Sequence, residues 1–205
     1  MNRRPVDTSS MQAAYVLGVY LGDGYAWRTS SNGHPGFKIG LSTVDREFAD
    51  AFSLALARMG VHVPPYRRKK YPDRPAAKEA WVVEVCSFNL YHWLTSLDSA
   101  AIREVVNRPG RSAIAFLRGV YDSEGSLTVR GNGPDLRMGN ADSGTMHLTK
   151  ELMERLNLHP GLYSYEPRPG RKRMYHVVLS RRVEIRRFLS IVKPSIPRKS
   201  SAPGV

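Results

Sequence analysis

Two nine-residue segments of this chain are near copies: Val16-Leu17-Gly18-Val19-Tyr20-Leu21-Gly22-Asp23-Gly24 and Leu117-Arg118-Gly119-Val120-Tyr121-Asp122-Ser123-Glu124-Gly125. Each is an apolar run with helical spacing, small residues four apart, a carboxylate as its last side chain and a closing glycine. A single recurrence divides the chain into two comparable halves and excludes a solenoid of many short units. The fold must therefore place two equivalent helices in related positions.

Small residues at i and i+4 share one helix face, so Gly18/Gly22 and Gly119/Ser123 are expected to let the two helices pack backbone to backbone. The run is too short and too interrupted to span a bilayer, which needs about 20 apolar residues. Asp23 and Glu124 fall just before Gly24 and Gly125, where a left-handed glycine commonly ends a helix. A carboxylate there meets the negative end of the helix dipole, unfavourable by roughly 0.3–1 kcal/mol each. Side by side, the two acids would also repel one another unless a cation lies between them. A hard divalent ion, Mg2+ first, meets that need with oxygen ligands. Packed helices ending in solvated acids would account for one such motif; its recurrence argues for the site.

At these residues the chain resembles the LAGLIDADG homing endonucleases, specifically the compact single-chain type with two motifs. The second motif keeps an acid at Asp122 where the first has Leu21. The resemblance implies an α+β fold: a pseudo-twofold duplicated αββαββα unit with two saddle-shaped antiparallel sheets and two central motif helices. It implies that Asp23 and Glu124 are catalytic and hold the metal, with the carbonyls of Gly22 and Ser123 completing its shell. Mn2+ is expected to substitute for Mg2+, and Ca2+ to bind without supporting cleavage. The implied activity is site-specific hydrolysis of double-stranded DNA leaving short 3′ overhangs. Family members often add a Lys or Gln near the attacking water; Thr43 and Asn140 lie near the corresponding strand ends, and no lysine does so plainly. An intron RNA maturase and a noncatalytic DNA-binding regulator are the alternatives on the same scaffold.

The rest of the chain is consistent with two copies of one unit. The 205 residues carry a formal charge of +13, which suits a polyanionic partner but is shared by ribosomal proteins and basic regulators. The expected divisions are an N-terminal half over 1–98, a linker over 99–111, a C-terminal half over 112–193 and a flexible basic tail over 194–205. Ser9 or Ser10 is expected to cap the first motif helix and Ser112 the second. Hairpins follow each motif. Amphipathic helices are expected from Asp45 to Met59, with a Phe48, Phe52, Leu56, Met59 stripe, and from Thr149 to Leu156.

On the strands, Tyr25, Trp27, Arg28, Lys38, Arg130 and Arg137 are candidate base readers, because alternate residues of a half-covered sheet face outward, and His34 is a candidate DNA contact. His176 is a further candidate contact. The runs Arg67-Arg68-Lys69-Lys70 and Arg171-Lys172-Arg173 recur at the same point in each half and are candidate phosphate grips. Cys86, the single cysteine, excludes an internal disulfide and a thiolate zinc cluster and is expected to be buried in a strand. The amino terminus lacks the apolar core of a signal peptide. An intracellular monomer is expected, cytoplasmic in a prokaryote, with no membrane association.

Overall fold

The computed structural model describes residues 4–31, 34–68, 79–130, 133–166 and 169–201. The first half runs α1 (Met11–Leu21), β1 (Gly24–Ser31), β2 (His34–Thr43), α2 (Arg46–Arg58), β3 (Tyr66–Arg68), β4 (Ala80–Cys86) and α3 (Phe88–Ser96). A connecting helix, α4 (Ser99–Asn107), leads to the second half: α5 (Ser112–Glu124), β5 (Gly125–Arg130), β6 (Gly133–Asn140), α6 (Ser143–Arg155), β7 (Gly161–Tyr165), β8 (Met174–Leu179) and α7 (Arg182–Val192). A single turn, α8 (Pro197–Ser200), follows. Each half contributes one antiparallel four-stranded sheet, ordered β1-β2-β4-β3 and β5-β6-β8-β7. The duplicated α+β architecture expected from the motifs is the one observed.

The centre of the molecule is the crossing of α1 and α5. A methyl group added at Gly18 would stand 2.5 Å from the Phe116 carbonyl oxygen, and one at Gly119 would stand 2.4 Å from that of Tyr15. Both obstacles are backbone, which cannot swing aside. Around this contact Ala13, Val16, Leu17, Val19, Phe116, Leu117 and Val120 are fully buried and join the two halves into one core. The Phe48, Phe52, Leu56, Met59 stripe is buried as its spacing requires. Leu148 and Leu152 do the same on α6.

Several local expectations are corrected. Gly24 and Gly125 do not take left-handed conformations: each begins a strand directly, and Gly125 has φ −77°. The second is required instead for proximity, since a Cβ there would lie 2.3 Å from the Tyr121 carbonyl oxygen. Neither motif helix has the serine cap expected of it. Ser10 occupies the N-cap position without a capping bond, its hydroxyl turning to the Asp7 carbonyl at 3.4 Å, and Ser112 is already the first helical residue. Helix α6 starts at Ser143 rather than Thr149, because the Asp142 carboxylate accepts the Thr145 amide at 2.7 Å. Cys86 is exposed, not buried: it follows Val83 and Val85 at the outward-facing register.

The 99–111 segment is not a plain connector. Asp98 caps α4 by accepting the Ala101 amide at 2.8 Å, and Val105 and Val106 are buried. Arg103 pairs with Glu151 of α6 at 2.6 Å, so the connection is braced against the second half. The tail is not loose as far as Ser201 either. Ile196 and Lys199 are 2% and 5% exposed. Residues 202–205 lie outside the described ones.

The crossing makes a prediction opposite in sign to helix propensity. Alanine is favoured over glycine in a helix by about 1 kcal/mol, yet Gly119→Ala should destabilise the protein by about 1–3 kcal/mol, as overpacking does. A urea unfolding midpoint shifted downward with an unchanged m-value is the expected result.

Candidate active site

The close crossing carries the ends of α1 and α5 to the same place. A Cβ on Gly22 would stand 2.5 Å from the Ser123 Cβ, 2.9 Å from its Oγ and 3.3 Å from Glu124 Cγ. The two motif termini are therefore in van der Waals contact. Glu124 is the last residue of α5, whereas Asp23 lies in the turn just after α1. The Ser123 hydroxyl is buried in this contact with no hydrogen-bond partner. Asp23 touches solvent on one side, but protein flanks it closely enough for desolvation to govern its titration.

Burial raises the carboxyls of both acids. Glu124 is pushed up to about 7, first by desolvation and then by repulsion from Asp23, against the opposing effects of Lys199 and Asn140. Exposed Asp23 and partly buried Glu124, with the unpartnered Ser123 hydroxyl at the same terminus, concentrate carboxylate charge and oxygen donors there. That donor set fits a hard divalent cation. Among the described residues no group of three or more His, Cys, Asp or Glu is placed to hold a metal ion, so a cation here would have two carboxylates and otherwise backbone, hydroxyl or water oxygens as ligands.

Asn140 lies beside Glu124. Its amide donates to Glu124 Oε1 and to the Leu21 carbonyl, each at 3.0 Å, bridging the two motif termini from strand β6. Thr43 is engaged differently, its hydroxyl accepting the Asp45 amide at 3.1 Å beside the start of α2. A lysine does reach the end of the second motif, from the carboxyl-terminal segment rather than from a strand. Lys199 Nζ donates to the carbonyls of Tyr121, Asp122 and Ser123 at 3.2, 2.7 and 3.1 Å. A proline at the start of a helical turn behind an apolar residue, Ile196-Pro197, was the sequence signal for that docked turn.

The sheet faces sort the remaining candidates. Cross-strand partners share a face, so Tyr25 opposite Gly40 and Trp27 opposite Lys38 lie on the side away from Ile39 and Leu41, which are buried against the helices. Tyr25 and Lys38 converge on Glu84, at 2.9 and 2.6 Å. Arg68 reaches Ser42 at 3.0 Å on the same face. Arg28 falls on the opposite side: it is paired with Phe37, and its guanidinium lies 5.9 Å from that ring. Arg67 likewise has the register of Trp81 and pairs with Glu79. The strict alternation of strand faces removes both from the outward set.

In the second half, Arg137 faces outward with Ser126 and is tethered to Asp135 at 2.9 Å. Tyr163, Tyr165 and His176 share that outward register, and Tyr165 packs its ring on His176. The two tyrosines were absent from the sequence-level set, although their two-residue spacing marks them. Arg171 and Lys172 are exposed, and Arg173 pairs with Glu166 at 2.6 Å. Lys69 and Lys70 lie outside the described residues, as do the side chains of His34 and Arg130.

The raised carboxyl has a signed consequence. A glutamic acid whose folded-state pKa exceeds its unfolded value binds its proton more tightly when folded, so stability is lost as pH rises from about 4.5 to about 7. Without divalent ions, Glu124→Gln should be more stable than the parent above pH 7 by about 1–2 kcal/mol, a figure reduced for partial solvation. The difference should vanish below pH 4.5. Thermal melts across that range in chelator provide the measurement.

The LAGLIDADG-like domain family matches residues 10–96 and 112–193, both halves of the chain. Among solved structures, mesophilic variants of the homing endonuclease I-DmoI superpose with a TM-score of 0.66 at 21% identity, covering 91% of this chain and 98% of that one. I-DmoI in complex with DNA and Ca gives 0.68 at 18% identity, covering 95% and 97%. The N-terminal LAGLIDADG domain of DUF199/WhiA gives 0.57 at 15% identity, covering 91% and 84%. Two uncharacterized proteins of Methanocaldococcus jannaschii are similar in sequence. MJ0398 is 26% identical over 201 residues, 93% of this chain and 69% of its own length, and MJ0314 is 27% identical over 158 residues, 75% and 57%. The chain thus spans little more than half of MJ0314. With both motif helices and both sheets accounted for, the chain belongs to the LAGLIDADG-like domain family.

Proposed function

We propose that the protein is a site-specific double-strand DNA endonuclease that uses Mg2+ and leaves short 3′ overhangs. The observation that supports this reading is the contact between the two motif termini, Gly22 against Ser123 and Glu124, with each terminus leading directly into a four-stranded sheet. Strand faces bearing aromatic, basic and hydrogen-bonding side chains suit a major groove. I-DmoI, similar in fold, has been crystallised with DNA and Mn and with DNA and Ca.

In this reading Asp23 and Glu124 hold the cation, joined by the Gly22 carbonyl. When bound, the divalent ion lowers the pKa of a water and stabilises charge on the departing 3′ oxygen. Glu124 is kept in place by Asn140, which also fixes the end of α1 through the Leu21 carbonyl. Tyr25, Trp27, Lys38, Arg68 and Arg137 orient the duplex from the strand faces, and Arg171 and Lys172 contribute phosphate contacts. The net charge of +13 supplies affinity without sequence information.

Two results are expected. Selection from a randomised duplex library in Ca2+, followed by transfer to Mg2+ and sequencing of new ends, should yield a defined double-strand break. Asp23→Asn and Glu124→Gln should lose at least about 10³-fold in cleavage rate, the equivalent of several kcal/mol, while retaining Ca2+-supported binding. Tight binding without cutting by the parent protein would instead favour a DNA-binding regulator, and failure to bind duplex would turn attention to intron RNA. Separately, joint replacement of Arg171 and Lys172 by alanine should flatten the slope of log affinity against log salt by about 2, near 0.9 per phosphate contact, leaving the cleavage position unchanged.

A further inference from the structure

The carboxyl-terminal segment is built into the end of the second motif helix. The chain leaves α7 through Lys193 in the left-handed conformation, φ 50°, and turns back toward α5. Asp122, 1% exposed, receives it: its carboxylate accepts the Ser195 amide at 2.8 Å, the Ser195 hydroxyl at 2.7 Å and the Tyr15 hydroxyl at 3.0 Å. Arg118 reaches the same Ser195 hydroxyl at 3.0 Å. One turn further on, the Tyr121 hydroxyl donates to the Lys199 carbonyl at 2.9 Å. Arg198 makes a two-pronged contact to Asp45 at 3.0 and 2.7 Å, fastening the segment to the first residue before α2 in the other half.

The purpose of this anchorage is visible at Lys199. The last carbonyls of a helix lack intrahelical partners, though that of Tyr121 already accepts the Gly125 amide, and an ammonium carries three donors. Lys199 places all three on the carbonyls of Tyr121, Asp122 and Ser123, the residues that lead directly into Glu124. Among the described residues the first motif shows no equivalent: its terminal Leu21 carbonyl is held by Asn140. This accounts for the one chemical difference between the repeats at that position. Asp122 anchors the segment, and Leu21 at the corresponding position has no side-chain acceptor with which to do so.

We propose that Lys199 is a positioning residue of the active site, clamping the last turn of α5 so that Glu124 is held beside Asp23, and that residues 195–200 are consequently a working part of the cleavage centre. The proposal rests on the endonuclease reading for its chemistry, but the clamp itself acts on where the acids stand. Lys199 also engages the Ser123 carbonyl, so the two motif termini are unequal: the carbonyl at Gly22 is left for a cation, while that at Ser123 already faces a fixed positive charge.

The test compares Lys199→Met and Lys199→Arg with the parent in three measurements on the protein–duplex complex. These are Ca2+-supported DNA affinity, Mn2+ binding followed by electron paramagnetic resonance, and the single-turnover cleavage rate. Lys199→Met is expected to bind duplex within about threefold of the parent, to hold Mn2+ about 10-fold more weakly and to cleave about 100-fold more slowly, the range typical of residues that orient metal ligands. Lys199→Arg should not restore the rate, because a planar guanidinium does not cap three successive carbonyls as an ammonium does. Should Lys199→Met fail to fold, Arg198→Ala, which removes an exposed anchor outside the motif helices, is expected to shift Mn2+ binding and rate in the same direction by a smaller factor.

A folded Lys199→Met protein with parental Mn2+ binding and parental rate would overturn the proposal and reduce Lys199 to a helix cap. Unchanged Mn2+ binding and rate in folded Arg198→Ala would overturn it if Lys199→Met does not fold. If the parent cuts no duplex, the endonuclease reading fails while the Mn2+ comparison still decides the clamp: a weakened ion supports it and an unchanged one refutes it.

Discussion

The backbone contact between α1 and α5 at Gly18 and Gly119 is the constraint on which the other features depend. Because neither residue carries a side chain, the helices approach until an added methyl would lie within 2.5 Å of opposing carbonyl oxygens. At a Leu-faced crossing the helix axes would sit 8–10 Å apart in the usual manner, and the motif termini would be separated by side chains. Here they touch, and the two sheets that grow directly from Gly24 and Gly125 are related through that contact. One small-residue stripe thus sets both the union of the halves and the placement of their acids.

What the crossing creates, electrostatics must resolve. Two carboxylates are brought to the negative ends of two helices and partly desolvated, each of which disfavours ionisation. The protein answers with fixed donors on three sides: Asn140 on Glu124 and the end of α1, Lys199 on the end of α5, and Arg118 with Ser195 around Asp122. These leave Glu124 raised by repulsion from Asp23, a conflict that a divalent ion between the two acids would relieve.

The parts of this account that were legible in the sequence are those written in short-range patterns. The duplicated motif specified the helix pair, its small-residue face and the acids, while period-2 and period-3.6 spacing placed most strands and the Phe48 to Met59 stripe. Details that depend on register were not legible. Arg28 and Arg67 look like their outward-facing neighbours in composition, but each is one residue out of phase and turns to the other face of its sheet. Lys199 was missed for a different reason. It is separated from Glu124 by the whole second half, and a short segment rich in Pro, Ser and basic residues resembles a solvated end until tertiary contacts show Ile196 and Lys199 buried. Cys86 shows the same limit, since an apolar run does not by itself reveal which side of the sheet its last residue faces.

The central claim is that Asp23 and Glu124 share one site and one charge conflict. It is tested most directly by following the Glu124 carboxyl carbon by NMR through a pH titration of the metal-free protein, beside Asp23→Asn. A midpoint near 7 that falls when Asp23 loses its charge, and falls again on adding Ca2+ to the parent, is the predicted result. A midpoint in the ordinary glutamate range that ignores both changes would contradict it, placing the two acids too far apart to act together.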